Sequence, residues 1–131
     1  MARILILEDD EAFGPLLQAS LEDAGHTVSL YASATIALAH VDQDDPELVI
    51  ADILVMKDGK LTEDGGIKLI STLKQLQRRT APVIAISGVF AGELAYEAQT
   101  TAMTVGADHA LAKPFVPEDL IALVNELLTE H

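Results

Sequence analysis

The sequence contains no cysteine, few basic residues and no long apolar run, and each absence excludes a class of protein. Without cysteine, the 131-residue chain has no disulfide framework, no thiol nucleophile and no cysteine metal site. The run of apolar residues nearest the N-terminus, Ile4 to Leu7, is too short for a signal peptide or a membrane span. The 8 basic residues stand against 21 acidic ones, and the net charge of -13 repels nucleic-acid phosphates and anionic lipids. We therefore expect a soluble, cytoplasmic protein that binds neither nucleic acid nor membranes directly.

Two further absences concern domain organisation and cofactors. The glycine-rich G-x-G-x-x-G loop of dinucleotide-binding proteins is missing, which disfavours dinucleotide binding. No Ser/Gly/Pro linker, low-complexity tract or long internal repeat interrupts the chain, and half of its residues are apolar. The sequence therefore predicts a single domain over residues 1–131, without an effector domain.

Short apolar runs rich in β-branched residues alternate with segments of helical period along the chain. This alternation is typical of an α/β fold with a parallel sheet. The predicted strands are Ile4 to Leu7, Thr27 to Tyr31, Leu48 to Ala51, Val83 to Ile86 and His109 to Ala112. The run "TVSLY" alternates between apolar and polar residues, which predicts an edge strand.

Two amphipathic helices are the clearest of the predicted helices. The first carries an apolar stripe and ends near Gly25, a residue suited to the end of a helix; its stripe consists of Phe13, Leu16, Leu17, Leu21 and Ala24. The second begins near Pro117, and its stripe consists of Leu120, Leu123, Val124, Leu127 and Leu128.

Polar residues follow four of the predicted strands. Strand one is followed by Glu8 and Asp9, strand three by Asp52, strand four by Ser87 and strand five by Lys113. In an open α/β sheet the carboxyl ends of the strands form the ligand-binding edge, so these side chains should meet there. Carboxylates so placed repel each other by about 4 kcal/mol per close pair at an effective dielectric constant of 20, which favours a bound cation. All-oxygen ligands favour Mg²⁺ or Mn²⁺, and with Lys113 and Ser87 such a site suits a phosphoryl group.

The sequence resembles the receiver domain of two-component response regulators from residue 3 to about residue 129. The resemblance rests on the ordered motifs "ILILEDDE", "PELVIADI", "PVIAIS" and "GADHALAKPF". It implies a flavodoxin-like, doubly wound fold whose five parallel strands lie in the order 2-1-3-4-5. It also implies that Asp52 is the phosphoacceptor, that Ser87 and Lys113 contact the phosphoryl group, and that the metal ligands are Glu8, Asp9, Asp52 and the backbone carbonyl of Leu54. Asp10 falls outside the acidic pair and is expected to cap the following helix.

The resemblance implies a phosphoacceptor and switch that is not an enzyme. The partners would be a histidine kinase or a histidine phosphotransfer protein as donor, and a downstream protein as target. An alternative is a phosphorelay shuttle or phosphate sink, which needs Asp52 but no conformational output. A phosphatase of the haloacid dehalogenase type is disfavoured, because that class carries a second aspartate two residues after the nucleophile and this chain has Leu54 there.

Three departures from the family pattern concern the output of the domain. Met56 replaces the usual proline four residues after Asp52, and the loop that follows is enlarged; its Asp58-Gly59 pair predicts a β-hairpin whose Lys57 and Lys60 suit contact with a partner. Ala110 replaces the usual aromatic residue of strand five. The segment after Ser87 is a few residues longer than usual, and we predict that its part from Gly88 to Gly92, around Phe90, reorders on phosphorylation.

Overall fold

A five-stranded parallel sheet forms the centre of the molecule. The computed structural model describes residues 2–53, 56–57, 60–61, 65–87, 100–113 and 115–129. Within these ranges the strands are β1 (Arg3–Leu7), β2 (Thr27–Tyr31), β3 (Leu48–Asp52), β4 (Met56–Lys57), β5 (Lys60–Leu61), β6 (Val83–Ser87) and β7 (His109–Ala112). The sheet order is β2-β1-β3-β6-β7, with every neighbouring pair parallel. Counting only the strands of this sheet, the order is 2-1-3-4-5, which confirms the predicted fold and places "TVSLY" at an edge.

Helices connect these strands. They are α1 (Phe13–Asp23), α2 (Ala34–Asp44), α3 (Gly66–Ser71), α4 (described over residues 100–105) and α5 (Pro117–Thr129). A π-helical turn, Thr72–Leu76, extends α3. Pro117 is the first residue of α5, as predicted, because proline's fixed φ suits the first helical turn. None of the helices described is long and apolar enough to cross a membrane.

Two hydrophobic cores lie on opposite faces of the sheet. Successive residues of β1 point to opposite faces: Ile4 and Ile6 pack with α1 and α5, and Leu5 and Leu7 pack with α2 and α3. All four side chains are at most 2% exposed. Since both faces of the strand are covered, the strand needs a continuous apolar run, and this is the pattern that identified it in the sequence.

Some details differ from the sequence prediction, and β1 begins one residue earlier than predicted, at Arg3. The hydrogen-bonded ladder includes Asp52 and Ser87, so β3 and β6 each end one residue later than predicted. Leu16, predicted to be in the apolar stripe of α1, is 49% exposed. The side of α1 that faces the core is narrower than the apolar stripe seen in the sequence. Of the residues predicted in that stripe, only Leu17 and Leu21 are fully buried.

The predicted β-hairpin after β3 is confirmed at the level of its strands. β4 and β5 are antiparallel, and Met56 pairs with Leu61 and Lys57 with Lys60. The Asp58-Gly59 pair that predicted the turn lies outside the described residues. The cross-strand register nevertheless leaves two residues for the connection, which is the length expected for such a turn.

A surface groove of about 620 Å³ lies at the opposite, amino-terminal edge of the sheet, away from the acidic residues at the strand ends. Two of the residues that line it, Asp45 and Arg78, adopt left-handed backbone conformations with φ of +44° and +53°. Asp45 ends α2, where a left-handed residue is common. Arg78 follows the π-helical turn and is exposed, so its conformation is not compensated by burial of its side chain.

Replacing Arg78 by glycine should therefore stabilise the fold. Glycine adopts a positive φ without a Cβ clash, and we expect the free energy of unfolding to rise by about 1 kcal/mol. Urea denaturation measures this change. The matched control is Arg79→Gly: Arg79 has no positive φ and forms an ion pair with Asp42, so its replacement should lower the stability. A loss of stability in Arg78→Gly would contradict the prediction.

Candidate functional site

The carboxyl edge of the sheet gathers the polar residues predicted to form the site. Glu8 and Asp9 follow β1, Asp52 is the last residue of β3, Ser87 is the last residue of β6 and Lys113 follows β7. Parallel strands in adjacent positions bring these ends to one edge, because β1, β3, β6 and β7 are consecutive neighbours in the sheet. The topology alone therefore juxtaposes residues that are up to 105 positions apart in sequence.

Three carboxylates form a cluster at this edge. One carboxylate oxygen each from Glu8, Asp9 and Asp52 lies within 4.8 Å of the other two. Glu8 and Asp52 are each only 3% exposed, and Asp9 is half-buried. Since buried carboxylates are weakly screened by water, their mutual repulsion favours a bound cation. The oxygen-only set with two buried members fits the ligand preferences of Mg²⁺ or Mn²⁺.

Lys113 supplies a positive charge inside this cluster. Its ammonium Nζ lies 2.9 Å from Glu8 Oε2 and 3.5 Å from Asp52 Oδ2. Burial by itself lowers the pKa of Lys113, but the hydrogen bond to Glu8 and the charge of Asp52 outweigh burial, so the pKa lies above its ordinary value of 10.5. The lysine is therefore charged at neutral pH and partly neutralises the carboxylates.

Asp10 has a structural role beside the site, as predicted. Its Oδ1 accepts hydrogen bonds from the backbone N–H groups of Ala12 and Phe13, both at 2.8 Å, and so caps the start of α1. These two bonds hold the pKa of Asp10 below its ordinary value of 3.8. The backbone N–H of Asp10 in turn donates to Glu8 Oε1 at 3.1 Å, which fixes the orientation of the Glu8 carboxylate.

Ser87 lies at the same edge and is tied to Lys113 through the backbone. Ser87 is 1% exposed, and its carbonyl oxygen accepts a hydrogen bond from the Lys113 N–H at 2.8 Å. The backbone carbonyl of Leu54, implied as a metal ligand, lies outside the described residues. So does the segment from Gly88 to Gly92, whose reordering therefore stays a prediction.

The structure identifies Gly66, which the sequence reasoning missed. Gly66 begins α3, and a Cβ built on it would lie 2.7 Å from the carbonyl oxygen of Asp52 and 2.9 Å from the Cα of Ile53. Real Cβ atoms do not approach backbone atoms so closely, so only glycine fits there. The signal in the sequence is the Gly65-Gly66 pair, which gave no indication of where it would pack.

Phe13 packs against the core between α1, α5 and the sheet, as its place in the apolar stripe predicted. The sequence reasoning missed its second contact, with the site: the ring centroid lies 4.7 Å from Lys113 Nζ. An aromatic residue shortly after the acidic pair is the only local signal, and the contact depends on residues 100 positions apart.

Comparison with known families agrees with this geometry. The family model described as the response regulator receiver domain matches residues 4–125, which include every residue of the site. The chain belongs to this family. Its members are the receiver domains of two-component signalling, and a phosphoacceptor role is general among them.

Curated relatives of this receiver domain differ in length. It is 32% identical over 124 residues to an uncharacterized 14.6 kDa protein from Leptolyngbya boryana, covering 94% of this chain and 87% of the relative. It is 29% identical over 129 residues to the regulatory protein VanR of Enterococcus faecium, covering 98% of this chain and 51% of VanR. The DNA-binding regulator RpaA of Synechocystis is 32% identical over 130 residues, with 98% of this chain and 49% of RpaA covered. The chain thus spans about half the length of VanR and RpaA.

Solved structures share the fold of this receiver domain. A CheY-like response regulator receiver domain protein from Methanospirillum hungatei superposes with a TM-score of 0.83 at 28% identity, covering 99% of this chain and 95% of that one. The receiver domain of NtrX from Brucella abortus gives a TM-score of 0.81 at 28% identity, with 98% and 99% of the two chains covered. The agreement covers nearly the whole length of each domain, so the site described above lies in a common framework.

Proposed function

We propose that this receiver domain accepts a phosphoryl group on Asp52 from the phosphohistidine of a histidine kinase or a histidine phosphotransfer protein. The observation that carries the proposal is the position of the Asp52 carboxylate. It is buried at the end of a central strand, with Lys113 Nζ 3.5 Å away and the oxygens of Glu8 and Asp9 within 4.8 Å. Among the described residues, no other acidic cluster combines these features.

A divalent cation fits the same residues. Glu8, Asp9 and Asp52 would hold Mg²⁺ or Mn²⁺, because they supply oxygen ligands close to one another. When bound, the ion supplies positive charge next to the acceptor carboxylate and so favours the approach of an anionic phosphoryl group. The Leu54 carbonyl remains a ligand implied by family resemblance.

The side chains of this chain supply position and charge for the transfer. An Asp52 carboxylate oxygen forms a bond to phosphorus while the phosphorus–nitrogen bond of the donor histidine breaks, and the imidazole leaves with the bonding electrons and takes up a proton. Lys113 offsets negative charge on the phosphoryl oxygens, and the Ser87 hydroxyl offers them a hydrogen bond. The domain takes part as acceptor, so we do not assign it an enzymatic activity of its own.

The acyl phosphate formed on Asp52 adds close to two negative charges at the edge of the sheet. This charge biases a two-state equilibrium of the neighbouring surface, which would then bind a downstream protein in the cytoplasm. The alternative of a shuttle or sink without conformational output is favoured by one observation. Ala110 is an exposed residue of β7 with a single methyl group, so no side chain at this position can change rotamer in response to phosphorylation.

Intact-mass measurement tests the acceptor assignment. Incubation with acetyl phosphate and Mg²⁺ should add one phosphoryl group to the wild type and none to Asp52→Asn, because the amide is not a phosphoacceptor. Asp10→Asn is the matched control: Asp10 belongs to the same acidic edge but caps α1, so this variant should still be phosphorylated. Undiminished uptake in Asp52→Asn would overturn the assignment. Return of the phosphoryl group to a histidine domain would favour the shuttle.

A further inference from the structure

An aromatic side chain contacts the ammonium of Lys113 in addition to the carboxylates. The Lys113 Nζ lies 4.7 Å from the centroid of the Phe13 ring. The Phe115 ring packs edge-to-face on Phe13, with centroids 5.4 Å apart and an interplanar angle of 73°. The Lys113 side chain is only 22% exposed, so the ring replaces water around part of the ammonium.

An aromatic ring can stabilise a cation that a hydrocarbon side chain would only desolvate. The face of the ring carries negative charge density and attracts an ammonium at this distance. The ring carries no net charge, so it repels the carboxylates of Glu8 and Asp52 far less than a third carboxylate would. It also does not act as a ligand for a divalent cation in their place. The Phe13 contact can therefore persist when the oxygens of Glu8 and Asp52 bind other groups.

Contacts of the start of α1 and of the Phe115 ring both position the Phe13 ring. Asp10 accepts the backbone N–H of Phe13 at 2.8 Å, which holds the first residue of α1 in place. The following residue, Gly14, brings α1 so close that a Cβ built there would lie 3.4 Å from Glu8 Cγ. The start of α1 thus lies beside the same glutamate that binds Lys113, and the Phe115 ring packs edge-to-face on Phe13.

We propose that Phe13 is a positioning residue for Lys113: its ring holds the ammonium beside the Asp52 carboxylate by a cation–π contact, and Phe115 supports the ring. The effect on phosphoryl transfer rests on the proposed function, whereas the contact between ring and ammonium does not. In this chain α1 therefore contributes to the site through an aromatic side chain as well as through the packing of Glu8.

Two variants of Phe13 separate the charge interaction from apolar packing. Phe13→Leu keeps an apolar side chain but removes the π-system, and Phe13→Tyr keeps the ring. Leu21→Val is the control for a small loss of stability, because Leu21 is buried in the same helix, two turns further on.

The first measurement is the rate of Asp52 phosphorylation by acetyl phosphate with saturating Mg²⁺. Phe13→Leu should slow it about fivefold, and Phe13→Tyr should restore the wild-type rate.

The second measurement does not depend on phosphorylation. Brief treatment with acetic anhydride acetylates accessible lysine amines, and mass spectrometry of the digested protein compares Lys113 with Lys68, an exposed lysine of α3 that serves as internal reference. The ratio of Lys113 to Lys68 labelling should rise about threefold in Phe13→Leu, because loss of the contact frees the ammonium. It should stay at the wild-type value in Phe13→Tyr and Leu21→Val.

Each result decides the inference. A wild-type labelling ratio in Phe13→Leu, or an equal rise in Leu21→Val, would overturn it. Failure of the wild type to take up phosphate would refute the proposed function instead, and the labelling ratios would still decide whether Phe13 holds Lys113. Slow phosphorylation in Phe13→Tyr as well would also count against the inference, because the ring is then not the property that matters.

Discussion

Replacing Gly66 by alanine should both destabilise the fold and disable the acceptor. The new Cβ would lie 2.7 Å from the carbonyl oxygen of Asp52 and 2.9 Å from its carbonyl carbon, and neither backbone atom can rotate away as a side chain could. Either α3 or the end of β3 must shift. We expect the free energy of unfolding to fall by about 3 kcal/mol. Displacement of Asp52 by about 1 Å should slow its phosphorylation about 100-fold.

Gly14→Ala is the matched control for this prediction. Gly14 also lies in the first turn of a helix that flanks the site, but a Cβ there would meet side-chain atoms of Leu30 and Glu8 at 3.3 to 3.4 Å. These side chains can adjust, and alanine is favoured over glycine within a helix. Urea denaturation and acetyl phosphate uptake should therefore remain near wild-type values in Gly14→Ala. Wild-type stability and uptake in Gly66→Ala would show that the close approach is unimportant.

Replacing Lys113 by methionine should have opposite effects on phosphorylation and on metal binding. Methionine keeps most of the length of the side chain but removes the charge that lies 2.9 Å from Glu8 Oε2 and 3.5 Å from Asp52 Oδ2. Without the ammonium, phosphorylation by acetyl phosphate should slow about 100-fold. Mg²⁺ should bind about tenfold more tightly, because a positive charge next to its ligands is removed.

Thermal denaturation across a Mg²⁺ titration measures the second effect. In EDTA, Lys113→Met should melt below the wild type, because the buried Glu8 carboxylate has lost its ion pair. Added Mg²⁺ should raise its Tm at lower concentration and by more than in the wild type. Asp9→Ala, which removes a proposed ligand, should respond least. Equal Tm increments in all three proteins would place the metal elsewhere.

The strands were predictable because burial of both faces leaves a local pattern in the sequence. A strand segment covered on both faces must be apolar along its whole covered length, as β1 is from Ile4 to Leu7 and β3 from Leu48 to Ala51, and a continuous apolar run carries that information in the sequence. The ends of β3 and β6 were predicted one residue short for the same reason. Asp52 and Ser87 are polar, yet both extend the backbone ladder into the site, which a count of apolar residues cannot reveal.

The acidic cluster was predictable from order and topology together. Once the strands were assigned, the rule for carboxyl ends brought Glu8, Asp52 and Lys113 to one edge without any knowledge of distances. Gly66 and Phe13 could not be found in this way. Their importance arises from how closely α3 approaches β3 and from where the start of α1 lies relative to β7. These are results of tertiary packing, which no local pattern records.

The backbone hydrogen bond from Lys113 N–H to the Ser87 carbonyl has a mechanical consequence. It belongs to the last residue pair of β6 and β7, Ser87 with Ala112, and so joins the residue after β7 to the end of β6. A displacement of the main chain at Ser87 is therefore transmitted directly to the main chain of Lys113, with no freely rotating bond between them. The Ser87 and Lys113 side chains would therefore shift together whenever this end of the sheet moves.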